Sequence, residues 1–341
     1  MDAICANPLK NGQFSSGSHD KTIMIWDANA KCIKTLTGHT NGVWCLNYFP
    51  DGKRLLSASS DGTSKIWDVN SGKCTQTLKK HTGRTYCATM NDDASKIATC
   101  GSDKMLCVWD AKKLDKPLFT NTQSQSCIMR CDFSNDQKSI HSVTLDGAIQ
   151  DMDIASQKMT VQFDTVEELK LQSDGEITKN ICYCVKSLKK HPDGGNKFAV
   201  GAEFKLISVC DVDSSRPEGT KLQTHGKYTG HFSSVRQIEV SEDFKYLLSS
   251  SEDHSIFLWD TATQKPKRIL AGHTDLAVSA VHMPDCSIER GHLPRQEHHS
   301  KQFLGRVHQN LELRPLSHHL FEAQTLFEEA HFEPRYARAK M

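Results

Sequence analysis

Hydrophobic and polar residues alternate along most of this chain in short runs that turns interrupt. Runs such as VWCLNYF (43–49), RLLSAS (54–59) and VRQIEV (235–240) are followed by turn-forming residues, for example Pro50-Asp51-Gly52. Alternation with a period of two, in short segments bounded by Gly, Pro, Asn and Asp, is typical of β-strands. The pattern therefore predicts an all-β fold built from many short strands.

The strands belong to an internal repeat that two dipeptides mark. A motif of one hydrophobic residue followed by Trp-Asp occurs four times, ending at Asp27, Asp68, Asp110 and Asp260. Degraded copies of this motif end at Asp153 and Asp211. Gly-His recurs in a second register, at Gly38-His39, Gly230-His231 and Gly272-His273, with a degraded copy at Lys80-His81. A period of about 40–45 residues that ends in Trp-Asp is the signature of a four-stranded propeller blade.

On these residues the chain resembles the WD-repeat (WD-40 type) family, and the motifs identify no subfamily. The resemblance covers about residues 1–284. It implies a β-propeller of four-stranded blades, six of them recognisable, with an incomplete seventh beginning near Gly272. We therefore predict a propeller domain over residues 1–284 and a His-rich, non-propeller tail over residues 285–341.

The resemblance also implies a buried, hydrogen-bonded tetrad of His, Ser, Asp and Trp in each well-kept blade. The matching residues are His39, Ser59, Asp61 and Trp67 in blade two, and His231, Ser251, Asp253 and Trp259 in blade six. In blade three, Gly101 occupies the expected hydroxyl position. His, Ser and Asp also compose catalytic triads, but this set recurs at fixed spacing, whereas a catalytic site would occur once. We therefore interpret the tetrads as structural and predict no catalytic residues.

Loops on the top face of the propeller are the expected binding surface, because rigid scaffolds carry their recognition residues on loops. The residue before each tetrad Asp is predicted to point from this face, namely His19, Ser60, Ser102, Leu145 and Glu252. The insertion at residues 164–180, with Glu167 and Glu168, is either an acidic docking loop or a solvated loop. These candidates are chemically mixed and identify no particular ligand.

After Pro284 the repeat stops, which raises the question of ring closure. Residues 285–341 contain seven histidines and no strand-like alternation. The tail replaces the missing strands irregularly, or the ring closes with six blades, or the chain is a truncated or alternatively spliced form with an unrelated end. We favour the last interpretation. The two His-His pairs match no zinc-ligand spacing, and residues 317–332 fit a helix with one apolar side.

Composition narrows the class of partner. With 42 basic and 41 acidic residues, the net charge of +1 gives no reason to expect nucleic acid or an anionic membrane as a partner. No apolar stretch approaches the roughly 20 residues that span a bilayer. The 13 cysteines lie mostly in apolar runs, without a CxxC pair. We therefore expect free thiols in a reducing compartment, cytoplasmic or nuclear, and no metal or cofactor.

These observations predict a non-catalytic scaffold or adaptor that binds proteins or peptides through the top face and rim of the propeller. Walker, GxSxG and HExxH motifs are absent from the sequence. The alternative is a regulatory or substrate-recruiting subunit of an enzyme complex, such as a ubiquitin ligase or a chromatin modifier. A propeller hydrolase is a remote alternative, because the innermost strands offer few acidic residues for a metal in the central channel.

Overall fold

The computed structural model describes residues 3–280, apart from 11, 165–180, 190, 192–194, 204, 213–221, 242, 272–276 and 278. These residues form twenty-four strands. Within these ranges there is no helix long and apolar enough to cross a membrane. The fold is all-β, as the alternation of the sequence predicts.

The strands form six sheets, and each sheet contains four consecutive antiparallel strands in chain order. Blades one to three are β1 (Ala3–Ala6), β2 (Phe14–Gly17), β3 (Ile23–Trp26), β4 (Cys32–Leu36); β5 (Val43–Tyr48), β6 (Arg54–Ser59), β7 (Thr63–Asp68), β8 (Cys74–Lys79); and β9 (Thr85–Met90), β10 (Lys96–Gly101), β11 (Leu106–Asp110), β12 (Phe119–Asn121).

Blades four to six continue the same meander. They are β13 (Ile128–Phe133), β14 (Ser139–Thr144), β15 (Ala148–Asp153), β16 (Met159–Asp164); β17 (Cys182–Ser187), β18 (Phe198–Ala202), β19 (Leu206–Val212), β20 (Leu222–Thr229); and β21 (Val235–Val240), β22 (Tyr246–Ser251), β23 (Ser255–Asp260), β24 (Lys265–Ala271).

The first strand of each blade lies at the centre of the molecule. The strands β1, β5, β9, β13, β17 and β21 contact one another in that order, which arranges the six sheets around a common axis. The predicted propeller of four-stranded WD-repeat blades is therefore confirmed. Successive blades pack face to face, so the second strands are buried on both sides and use small residues.

Each sheet contributes one face to each of its neighbours. In blade two, Leu55 and Trp67 share a core with Ile25 and Leu36 of blade one. Leu56 on the opposite face belongs to a larger core shared with blades three and four. Because each sheet is enclosed on both sides, its strands carry bulky apolar residues on both faces.

A residue that follows blade six, Ser279, joins the last blade to the first. Ala277, Ser279 and Ala280 are buried. The Ser279 hydroxyl accepts a hydrogen bond from the Ile4 N–H at 3.2 Å and donates one to the Gln237 side chain. Ser279, which belongs to the predicted seventh blade, therefore links the innermost strands of blades six and one. The Gly272-His273 pair and the tail predicted over residues 285–341 lie outside the described residues.

Candidate interaction face

The tetrads tie the third strand of a blade to the loop that enters it. In blade two, His39 Nδ1 lies 2.7 Å from Asp61 Oδ2, and His39 Nε2 lies 2.8 Å from Ser57 Oγ. The Trp67 indole N–H donates to the same Ser57 oxygen at 2.9 Å. His39 and Asp61 are almost fully buried. This closed network satisfies polar groups that would otherwise be costly in the core.

Blade six repeats the arrangement with the same geometry. His231 Nδ1 lies 2.8 Å from Asp253 Oδ2, and its Nε2 lies 2.7 Å from Ser249 Oγ. The Trp259 indole donates to Ser249 at 2.8 Å. The recurrence of one hydrogen-bond pattern in separate blades agrees with a structural role.

The tetrad hydroxyl is not the predicted one. Ser59 and Ser251 were expected to bridge His and Trp, but Ser57 and Ser249 do so, and the prediction is wrong by two residues. Trp67 lies opposite Leu55 in the sheet, so its indole reaches Ser57. Ser59 ends the strand, where it donates to the Asn41 carbonyl at 2.9 Å and accepts from the Asp61 N–H.

The same shift gives blade three a complete tetrad. His81 Nε2 lies 2.9 Å from Thr99 Oγ1, and the Trp109 indole donates to that oxygen at 3.0 Å. Gly101 therefore does not replace a tetrad hydroxyl. A Cβ at Gly101 would approach the Arg84 carbonyl oxygen to 2.1 Å, so the glycine allows close contact between two strands.

Electrostatics strengthens the His–Asp contacts. Burial raises the pKa of Asp61, but hydrogen bonds from His39 and Thr63 outweigh it, and the pKa lies well below its usual range. Burial lowers the pKa of His81, yet hydrogen bonds to Asp103 and Cys107 raise it to about 9. A protonated His81 beside an ionised Asp103 is therefore the stable state at neutral pH.

The tetrad Asp also fixes the loop that precedes the first strand. Its carboxylate accepts the backbone N–H that follows the tetrad His: Thr40 to Asp61 at 3.0 Å, Thr82 to Asp103 at 2.9 Å and Phe232 to Asp253 at 2.8 Å. These loops belong to the top face. Their backbone is therefore held in place before any partner arrives.

Five of the six innermost strands carry a β-bulge near the top face. The register shifts by one residue in each of these strands. The extra residues are Trp44, Tyr86, Met129, Tyr183 and Arg236, one for each of blades two to six, and all are half-buried. Bulges re-aim side chains, and here they place one large side chain per blade around the axis. We call these five residues the bulge arc.

Contacts between blades hold the bulge arc together. The ring of Trp44 packs edge-on against Tyr86, with centroids 6.1 Å apart. The Arg236 guanidinium lies over the Tyr183 ring, 3.9 Å from its centroid. Beneath the arc, Arg130 donates to the carbonyl oxygens of Tyr86 at 2.5 Å and Trp44 at 3.1 Å. A single guanidinium thus fixes the backbone at two bulges.

The residues predicted as top-face contacts lie around the bulge arc. His19 is exposed and packs edge-on against Trp44, with centroids 5.6 Å apart. Ser60 accepts a hydrogen bond from the Trp44 indole, and Glu252 pairs with Arg236. Three of the five predicted residues therefore contact arc side chains directly.

The remaining candidates are more scattered. Ser102 Oγ accepts the Arg84 N–H at 2.8 Å, and Leu145 is 40% exposed. Glu167 and Glu168 lie outside the described residues.

The bulge arc was not predicted from the sequence. The available signal was Trp44, the one tryptophan of five that lies outside the Trp-Asp positions.

Acidic residues of the innermost strands are occupied by structural contacts. Asp132 accepts the Ser187 N–H at 3.0 Å, and Glu239 forms an ion pair with Lys186 at 3.0 Å. These carboxylates join neighbouring blades around the axis.

Comparison with known proteins agrees with this architecture. The family described as WD domain, G-beta repeat matches residues 3–27, 30–68, 72–110 and 220–260. The chain belongs to the WD-repeat family. The first match covers β1 to β3, and each later match begins with the last strand of one blade and continues through the first three strands of the next: β4 to β7, β8 to β11 and β20 to β23. WD-repeat proteins are generally platforms for protein interaction. This family membership points to a non-enzymatic interaction protein.

Curated relatives of this WD-repeat chain are similar over short stretches. Nuclear distribution protein PAC1-2 of Uncinocarpus reesii is 52% identical over 59 residues, which is 17% of this chain and 13% of the relative. Nuclear distribution protein nudF 2 of Aspergillus clavatus is 47% identical over 57 residues, again 17% of this chain and 13% of the relative. Nuclear distribution protein PAC1 of Gibberella zeae is 49% identical over 57 residues, 17% and 12%. The matched region spans about an eighth of these relatives.

Proposed function

We propose that this WD-repeat protein is a non-catalytic intracellular adaptor that binds protein segments on its top face, with the bulge arc as the centre of the binding surface. The observation that carries the proposal is the repeated bulge. Five blades place an extra, mostly large side chain at the same position around the axis. Trp, Tyr and Arg are the residue types that dominate binding energy in protein interfaces.

Preorganisation explains how such a face works. The tetrads hold the entering loops, Arg130 holds two bulges, and Arg236 is fixed between Tyr183 and Glu252. Few side chains of the propeller then lose conformational freedom when a partner binds, so the loss of conformational entropy that opposes binding is smaller. An extended peptide or a loop that offers apolar groups and a carboxylate fits this mixture of aromatic rings and one guanidinium.

Two more specific roles compete within this class. The matched relatives are named for nuclear distribution, but 57–59 residues correspond to about one and a half repeats. We therefore propose the adaptor role itself, and a regulatory or substrate-recruiting subunit of an enzyme complex as the alternative. Co-purification of catalytic subunits, such as those of a ubiquitin ligase or a chromatin modifier, supports the alternative.

Affinity purification of the intact chain, followed by mass spectrometry, tests the proposal. The variants Trp44→Ala and Tyr183→Ala remove aromatic side chains from two separated blades. We expect specific partners to fall by about tenfold or more in recovery, the effect of losing a hot spot worth at least 1.4 kcal/mol.

Two exposed apolar residues elsewhere provide matched controls. Leu9, 67% exposed, lies in the β1–β2 connection on the opposite face, and Ile33, 47% exposed, lies on the outermost strand of blade one. Leu9→Ser and Ile33→Ser should leave recovery unchanged. Equal loss with the control variants, or no loss with the arc variants, contradicts a top-face site.

A further inference from the structure

Four cysteine side chains converge where blades two, three and four meet. The Sγ atoms of Cys87, Cys100 and Cys131 all lie within 4.8 Å of one another, and all three residues are buried. Cys45 adds a fourth thiol, with its Sγ 3.8 Å from Cys87 Sγ. No other group of three or more His, Cys, Asp or Glu ligand atoms this close occurs among the described residues.

The fold assembles this cluster from distant parts of the chain. Cys87 on β9 lies directly opposite Cys100 on β10 in the sheet of blade three. Cys45 comes from β5 and Cys131 from β13, the innermost strands of the two flanking blades. The gaps of 42, 13 and 31 residues match no local zinc motif, which explains why sequence spacing predicted no metal ligand.

The separations suit thiolate coordination. Zinc bound tetrahedrally by sulfur has bonds of about 2.3 Å, which places its ligand atoms about 3.8 Å apart. The Cys45–Cys87 pair has this separation. The sulfur atoms of Cys87, Cys100 and Cys131 need to move inward by about half an ångström to share one ion, whereas Cys45 does not lie within 4.8 Å of all three and must move further to become the fourth ligand. Four thiols from three blades form a closed set, which is typical of structural rather than catalytic zinc.

Zinc is held by thiolates, so binding at this cluster releases the thiol protons. Four thiolates and one Zn²⁺ carry a net charge of −2, and the Arg130 guanidinium offsets part of it.

We propose that Cys45, Cys87, Cys100 and Cys131 bind one zinc ion that links blades two, three and four. The site lies under the bulge arc, because Arg130 touches the backbone of both Trp44 and Tyr86. The ion therefore cross-links the three blades whose side chains form one end of the arc. The proposal does not depend on which partner the top face binds.

Metal analysis of the intact chain, purified under reducing conditions and passed over a chelating resin, is the first test. We expect about one zinc per chain. Because histidine is also a zinc ligand and residues 285–341 contain seven histidines, a second measurement must identify sulfur ligands. Protein produced with Co²⁺ should show the near-ultraviolet charge-transfer absorption of cobalt–thiolate bonds.

Matched cysteine variants assign the site. Cys100→Ser removes one thiol of the cluster, and Cys182→Ser removes a buried thiol from the core between blades four and five. Cys100→Ser should lower the bound zinc by at least about tenfold and abolish the cobalt–thiolate absorption, whereas Cys182→Ser should retain both. Retention of both by Cys100→Ser overturns the proposal. Should Cys100→Ser fail to fold, the unaltered chain decides: cobalt bound without thiolate absorption, or not bound at all, refutes the site.

Discussion

Ser57 is the residue on which the tetrad of blade two depends. Its hydroxyl contacts both the His39 ring and the Trp67 indole, and it is fully buried. Removing it leaves a buried indole N–H and an imidazole nitrogen without a partner. We predict that Ser57→Ala lowers the free energy of unfolding by about 1–3 kcal/mol, measured by denaturant titration of the intact chain.

Ser64 provides the matched control for this substitution. It lies in the adjacent strand β7, is 1% exposed, and its hydroxyl has no hydrogen-bond partner. Ser64→Ala should therefore change stability by less than about 0.5 kcal/mol. Equal effects of the two substitutions would show that the hydroxyl of Ser57 does not bridge the tetrad.

His81 should make stability depend on pH. Its pKa is raised to about 9 in the folded chain, against about 6.5 for an unperturbed His. A raised His pKa contributes stability that is complete below the unfolded pKa and is lost as pH rises through the folded pKa. The difference in unfolding free energy between the natural chain and His81→Gln should therefore shrink by about 2–3 kcal/mol from pH 6 to pH 9.5.

Unfolding titrations of both proteins at the two pH values check this prediction. Titration of Asp103 does not affect this comparison. Its pKa is lowered, so its contribution to stability is lost only in acid, below the pH range compared. A difference that stays constant between pH 6 and pH 9.5 would indicate that His81 is neutral in the folded protein.

At the scale of a strand, burial depends on whether a complete blade lies alongside. Leu56 of β6 and Leu248 of β22 occupy the same position in blades two and six. Leu56 is fully buried against blade three, whereas Leu248 is half-buried, on the face of blade six that blade five does not cover.

This contrast predicts unequal costs for one substitution. Leu56→Ala creates a cavity in a closed core and should cost about 2–5 kcal/mol. Leu248→Ala removes a side chain that is partly in contact with water and should cost less than half as much. Thermal unfolding of the two variants compares them directly, and equal losses would mean that Leu248 is as enclosed as Leu56.

The repeat determined which elements could be predicted from sequence. Trp67 and His39 recur with a fixed period, so the blades and their order follow from the chain alone. The position of Ser57 could not be separated from that of Ser59, because alternation places both on one face of β6 and only strand register distinguishes them. Bulges at Trp44 and Tyr86, and the meeting of Cys87 with Cys131, depend on register and on contacts between blades, which spacing does not encode.

At the scale of the whole molecule, the ring is a rigid support for its top face. Ser279 joins blade six to blade one, tetrads fix the loops of blades two, three and six, and Arg130 fixes two bulges. Binding surfaces on such supports require little reorganisation. The side chains of the bulge arc are therefore held close to the positions in which they would contact a partner.

Hydrogen–deuterium exchange on the intact chain, with and without a partner recovered by affinity purification, tests the top-face site most directly. The account predicts that the partner slows exchange in the top-face turns around Ser60, Ser102 and Glu252 and at the bulges of Trp44 and Tyr183. The turns on the opposite face, such as residues 51–53 and 70–72, should exchange at unchanged rates. Protection confined to that opposite face or to the outermost strands would contradict the account.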